Sequence, residues 1–217
     1  MRTPNKKIIC FDMDGTLINS LPAHAKAFVK SFEFNNLAKK RESEIMPLIG
    51  LKADKAIRKL YPNISQRKLE RVIEKYHEYL NEETYKYSKP IAGVMDALRK
   101  LKKEYKLVLI SGTQHSEIEK LLKFSDINQN IFDIVLGGDE VKHQKPSPDA
   151  IKKVEKLTDE KVEWMIGDTT WDIESGKLAK VRTVAVLTGK TSIENLVKSD
   201  PTMIIQSVYM LPEALRA

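Results

Sequence analysis

From Lys89-Pro90 onward, short apolar runs alternate with helical segments, and that alternation leaves few folds open. Leu107-Val108-Leu109-Ile110, Ile134-Val135-Leu136, Trp164-Met165-Ile166, Thr183-Val184-Ala185-Val186-Leu187 and Met203-Ile204-Ile205 read as strands. Between them lie helical stretches: one with Val94, Leu98 and Leu101, one around Ile118, Leu121 and Leu122, one from about Pro148 to Leu157, and one from about Ile173 to Lys180. Short apolar strands separated by helices imply a parallel sheet covered on both faces. The early run Ile8-Ile9-Cys10-Phe11 belongs with these strands.

The segment between that first strand and the next is helical throughout. Ser20 and Pro22 mark a helix start and put Leu21, Ala25, Phe28 and Phe32 on one face. A second helical region from about Glu42 to Leu60 is interrupted near Pro47 and Gly50. Ser65 then caps a long helix striped by Leu69, Val72, Ile73, Tyr76 and Leu80. The expected fold class is α/β. A Rossmann-like parallel sheet with helices on both faces forms from residues 1–18 and 90–217, and an α-helical domain over residues 19–89 is inserted into it.

In open parallel sheets, ligands bind beyond the carboxyl ends of the strands. After the first strand comes Phe11-Asp12-Met13-Asp14-Gly15-Thr16-Leu17. Side chains two apart on an extended segment point the same way, so Asp12 and Asp14 can converge. Such a pair is costly unless a cation or a proton lies between them, and the following Gly lets the backbone turn behind them. This is the geometry of a magnesium site with one carboxylate left for chemistry. After the second strand, Ser111-Gly112-Thr113 offers a hydroxyl and an approachable N–H at a helix start, which suits phosphate and equally an ordinary turn. After the third, Lys145 precedes Pro146 and is a candidate to neutralise a transferring phosphoryl group. After the fourth, Asp168 and Asp172 lie one helical turn apart, as hard oxygen ligands for magnesium or as caps of the helix. Each piece is ambiguous alone. Their order on four successive strand ends is not.

The totals agree with a soluble globular protein. Hydrophobic content of 41% and charged content of 31% argue against disorder, and no apolar run approaches the roughly 20 residues of a membrane helix. No signal peptide is read, so a cytoplasmic protein is expected. Cys10, the single cysteine, reads as a small buried apolar residue. The net charge of +7 is concentrated in residues 19–89, with 15 Lys and Arg against 9 Asp and Glu. Acids alternate with those bases and no nucleic-acid motif accompanies them, so a solvated helical surface is expected rather than a nucleic-acid partner.

Asp12-Met13-Asp14-Gly15-Thr16, Ser111, Lys145-Pro146 and Gly167-Asp168 with Asp172 resemble the four motifs of the haloacid dehalogenase superfamily. The place of the helical insert resembles the branch of phosphoglycolate phosphatases and beta-phosphoglucomutases. The resemblance implies a phosphatase acting on a small phosphorylated metabolite, such as phosphoglycolate or a sugar phosphate. Asp12 would be the nucleophile and Asp14 the proton shuttle, an acid that the dehalogenases themselves lack. Magnesium would be held by the Asp12 carboxylate, the Asp14 carbonyl and Asp168, with Asp172 in the outer shell. Ser111, Gly112 and Lys145 would bind the phosphoryl oxygens, Thr16 would touch substrate or orient Asp14 or the loop, and His24 with cap residues around 49–54 would contact the rest of the substrate. The inserted helices would form a cap that closes over the site. Two departures stand out: Gln144 replaces a common glycine, and Lys180 stands where an Ala-Gly pair is usual. A mutase is the alternative, with His24 in proton control and Lys52 in place of the mutase's cap arginine. A non-catalytic phospholigand-binding protein is the remote one. The sequence does not decide the oligomeric state.

Overall fold

Strand β1 (Lys7–Phe11) buries its last four residues, and its position explains why it carries no polar face. The computed structural model, which describes residues 6–49, 53–82 and 87–216, places β1 inside a six-stranded parallel sheet. Its neighbours are β2 (Tyr105–Ile110) and β4 (Val162–Gly167), with β3 (Ile134–Leu136) beyond β2. On the other flank β5 (Arg182–Val186) and β6 (Met203–Ile205) follow β4. The spatial order is therefore β3-β2-β1-β4-β5-β6. Lys7 pairs with Tyr105 and the register runs unbroken to Phe11 with Leu109. The chain fills one side of β1 and then the other, so the order reverses between β1 and β4. That reversal is where open sheets of this type bind ligands.

The chain divides into two compact units, Met1–Asn19 with Pro90–Ala217, and Ser20–Lys89. In the first, the period of two along the strands sorts side chains by face. Ile8 and Cys10 of β1 join Val108 and Ile110 of β2 in a cluster with Ala150, Ile151 and Val154. Ile9, Phe11, Leu107 and Leu109 are as completely buried on the opposite face. The Ile91 N–H donates to the Leu17 carbonyl at 2.9 Å, joining the points where the chain leaves and re-enters this unit.

The second unit contains α1 (Leu21–Phe34), α2 (Glu42–Ile45), α3 (Ala53–Leu60) and α4 (Gln66–Glu82). Pro22 opens α1, where its fixed φ and missing N–H cost nothing. Ser20 stands at the N-cap position, but its side chain makes no capping bond to the helix. Ser65 does cap α4, its Oγ accepting the Lys68 N–H at 3.4 Å. Phe28 and Phe32 of α1 pack with Leu69, Val72 and Tyr76 of α4, the Phe28 and Tyr76 rings stacked 4.1 Å apart. The interruption expected near Pro47 is a 3-10 turn over Met46–Leu48. Gly50 and Lys52 lie outside the described residues.

The sheet-bearing unit continues through α5 (Val94–Leu101), α6 (His115–Phe124), α7 (Asp149–Thr158) and α8 (Thr170–Ala179). It closes with α9 (Ile193–Lys198) and α10 (Leu211–Ala214).

Candidate active site

The turn after β1 is set by Gly15, whose φ of +83° suits a residue without a side chain. The Met13 carbonyl accepts the Leu17 and Ile18 N–H groups at 2.9 and 3.0 Å, and the Gly15 N–H donates to the Ile18 carbonyl at 2.8 Å. Met13 is thereby buried in the core. Asp12 continues the sheet, donating its N–H to the Ile166 carbonyl of β4 at 2.8 Å, and its carboxylate is buried at the β1/β4 reversal.

Lys145 closes the arrangement from the far side of the sheet. Its Nζ donates to Asp12 Oδ1 at 2.5 Å and to Asp172 Oδ1 at 2.6 Å, with the Ile110 carbonyl at 3.4 Å. The Lys145-Pro146 peptide bond is cis. Asp172 also serves its own helix. Its Oδ2 accepts from the Thr169 N–H at 3.0 Å and the Thr169 hydroxyl at 2.5 Å, so that Thr169 and Asp172 cap α8 reciprocally. Asp172 thus caps its helix through Oδ2 and meets Lys145 through Oδ1.

Asp12, Asp168 and Asp172 each place a carboxylate oxygen within 4.8 Å of the others, all three buried. Thr16, expected to touch substrate or to orient Asp14, is fully buried instead and donates to Asp168 Oδ1 at 3.4 Å. Asp14 is held by Thr113, whose hydroxyl donates to its Oδ2 at 3.2 Å. Ser111 is buried and its Oγ accepts the Thr113 N–H at 3.1 Å, which leaves the hydroxyl proton for an oxyanion. Gly112 faces open space, with Gln144 the nearest group at 3.8 Å from where a Cβ would lie. Gln144 also ties loops together, its Nε2 donating to Gly138 O at 3.2 Å and Gly112 O at 3.4 Å. His24 belongs to the helical unit, where its Nδ1 lies 2.7 Å from the Tyr76 hydroxyl.

The electrostatics follow from this crowding. Burial pushes the Asp12 carboxyl well above its usual range; Lys145 pulls it back, and Asp172, Asp168 and Asp14 push it further up. Burial and then Asp172 raise Asp168 to about 7, against Lys145 and Lys190. Burial alone would lower Lys145, but Asp12 and Asp172 overcome it and leave the ammonium above its ordinary value. Asp12, Asp168 and Lys145 all shift upward, the two acids chiefly through burial and the lysine through the acids beside it. Four carboxylates face two lysines, a surplus of two charges. Hard oxygen donors with that surplus fit a divalent cation of the magnesium type. Asp172, with both oxygens engaged, suits a place outside the metal's direct ligands.

The strand-end reading of the sequence stopped at β4 and missed the next loop. Thr188, Gly189 and Lys190 follow β5 and border the same acids. The Thr188 hydroxyl donates to the Gly15 carbonyl at 2.6 Å, and a Cβ on Gly189 would lie 1.8 Å from Asp168 Oδ2. Applying the strand-end rule to the fifth strand would have found them. Thr113 and Thr169, which orient Asp14 and Asp172, carry no comparable signal, because their partners are set by side-chain geometry.

Comparison with known proteins places these residues in context. The sequence model of the haloacid dehalogenase-like hydrolases matches residues 9–186. The chain is 30% identical over 192 residues to pyrophosphatase PpaX of Bacillus mycoides (strain KBAB4), spanning 86% of this chain and 87% of that protein. Among solved structures, a candidate phosphatase from Clostridium difficile has the same fold, with a TM-score of 0.87 at 24% identity over 98% of this chain and all of that one. A candidate phosphoglycolate phosphatase from Haemophilus somnus superposes with a TM-score of 0.86 at 22% identity, covering 97% and 98% of the two chains.

Proposed function

We propose, for a chain that belongs to the haloacid dehalogenase-like hydrolase family, that it hydrolyses a small phosphorylated compound with magnesium through an aspartyl-phosphate on Asp12. It is a phosphoric monoester hydrolase by family and relatives; the metal, the intermediate and the substrate are the proposal. The observation that carries it is the buried constellation itself. Lys145 bridges Asp12 and Asp172 at 2.5 and 2.6 Å, inside a three-acid cluster that also holds Asp168. Burying such a set costs folding energy that an apolar cluster would not, so its presence points to chemistry.

The roles follow from the contacts. Lys145 holds one Asp12 oxygen and so orients the other, which attacks phosphorus in line; the bond from phosphorus to the leaving oxygen breaks as the new one forms. Asp14, held by Thr113, gives the leaving oxygen its proton and then takes one from the water that cleaves the aspartyl-phosphate, regenerating Asp12. The Ser111 hydroxyl, the Gly112 N–H and Lys145 bind the phosphoryl oxygens. Asp12 and Asp168 would hold magnesium with the Asp14 carbonyl, and the metal would offset the surplus charge of acids and phosphate together. We assign part of substrate selection to the helical unit, residues 19–89.

Phosphoglycolate, a sugar phosphate and inorganic diphosphate are the substrates to test first, the last because the PpaX relative is named as a pyrophosphatase. The test is magnesium-dependent turnover of p-nitrophenyl phosphate and of that panel. Asp12→Asn should lower kcat on the order of 10⁴-fold or more while the protein stays folded by circular dichroism. A purified, folded wild-type chain inert toward the whole panel would sink the reading.

A further inference from the structure

The cation that the sequence reading missed has the most to say about substrate. Lys145 is bonded to two carboxylates and a carbonyl and is committed to the reacting phosphoryl group. Lys190 differs in every respect that matters for binding. Among the described residues it makes no ion pair and no hydrogen bond, and its side chain is open to solvent. Yet its backbone is pinned to the site on two sides. One residue before it, Gly189 presses so close to Asp168 that no side chain fits there. Two residues before it, Thr188 is bonded to the carbonyl of Gly15. The ammonium stands close enough to the protein for partial desolvation to lower its pKa, against the pull of Asp168, Asp14, Asp12 and Asp172.

We propose that Lys190 forms an anion subsite for a second negatively charged group of the substrate, close in the molecule to the phosphoryl group that reacts. The proposal rests on the phosphatase reading of the same site and narrows its substrate class to compounds such as inorganic diphosphate or a phosphorylated short carboxylic acid. A lysine held beside the acids by Thr188 and Gly189, but bound to none of them, keeps its charge for the ligand. Because it is exposed, it meets the part of the substrate that is not enclosed with Asp12. Lys190 is therefore a specificity-determining residue. A substrate whose only negative charge lies on the reacting phosphate gains nothing from it.

The experiment compares Lys190→Gln and Lys190→Arg with the intact protein on three substrates. These are inorganic diphosphate, 2-phosphoglycolate, and p-nitrophenyl phosphate, which has no second anionic group. Lys190→Gln should raise KM for at least one of the first two roughly 10-fold more than it raises KM for p-nitrophenyl phosphate, and be rescued by Lys190→Arg. Whichever of the first two shows the larger change identifies the second group as phosphate or carboxylate. An equal change on all three substrates, or none on any, overturns the subsite. Its fate is kept separate from that of the hydrolytic reading by titration calorimetry of inorganic diphosphate with magnesium in the Asp12→Asn background. There Lys190→Gln should weaken binding by a similar factor. Binding that depends on Lys190 in a chain that hydrolyses nothing would retain the subsite and discard the reaction; turnover without any Lys190 dependence would do the reverse.

Discussion

The strand ends and the helical unit spend their polar groups differently. At the strand ends, Asp12, Asp168 and Asp172 are buried and Lys145 is nearly so, each constrained by the others. In the helical unit the buried set is largely apolar, its buried polar residues Ser20, Ser31, Asn35 and Ser88 are uncharged, and charged groups lie outside it, with Lys26 over Tyr87 and Lys75 over Phe34. The first arrangement costs folding energy and makes sense only with a ligand or metal to balance it. The second stabilises by burial alone, at about 1.5–3 kcal/mol for each large apolar side chain. On the proposed reading, reaction chemistry is concentrated where stability is sacrificed, and stability where no chemistry is asked of the residues.

The largest test of that division is Phe28→Ala. Phe28 is buried, stacked on Tyr76 and 5.8 Å from the Phe32 ring. Its loss should cost about 3–5 kcal/mol of stability by denaturant titration. Turnover of p-nitrophenyl phosphate per folded molecule, measured well below the new melting point, should change by less than about threefold. A collapse of kcat at unchanged fold would show that the apolar core of the helical unit sets the chemistry too.

The next test removes the balancing charge. Asp168 has a folded pKa of about 7 against an ordinary value of 3.8, and Asp12 is shifted in the same direction. A carboxyl raised in the folded state contributes its full stability below the unfolded pKa. That contribution is lost as pH climbs from about 4 through about 7. Metal-free protein should therefore lose stability from these groups over that window, while magnesium, competing with their protons, should restore it where they are ionised. The rise in Tm on replacing EDTA with magnesium should be larger at pH 8 than at pH 5, and Asp168→Asn should shrink it. An increment equal at both pH values would mean that these acids are not where the metal binds.

How much of this was legible beforehand depended on whether a residue's role is set along the chain or across it. The six strands of the sheet could be read because each is a short apolar run, and β1 carries no polar alternation since both its faces are covered. α9 escaped because six residues with Ile193 and Val197 exposed and Leu196 alone buried carry no periodicity. Asp12, Lys145 and Asp168, which the structure brings together, could be singled out by their positions at strand ends. Thr16 stands two residues from Asp14 in sequence, but the turn at Gly15 carries its hydroxyl to Asp168, 152 positions away. Lys190 was hidden by an ordinary-looking Thr-Gly-Lys loop whose importance lies in what Gly189 touches.

The smallest test concerns the residue on which the two regions could exchange roles. His24 was the sequence's one suggestion of proton chemistry outside the sheet, and it is the residue on which a mutase reading would turn. Its Nδ1 lies 2.7 Å from the Tyr76 hydroxyl, and that hydroxyl belongs to a ring stacked in the apolar core. Tyr76→Phe keeps the ring and its stacking and deletes the hydroxyl that meets His24. If the bond only fastens α1 to α4, stability should fall by about 1 kcal/mol and kcat with its pH profile should stay put. If His24 takes part in proton transfer, removing the group that fixes its ring should move the acid or base limb of the profile, with stability almost unaffected. A shifted limb would extend the chemistry into the helical unit and erase the division; a lower melting point with an unshifted profile would leave His24 as part of the packing.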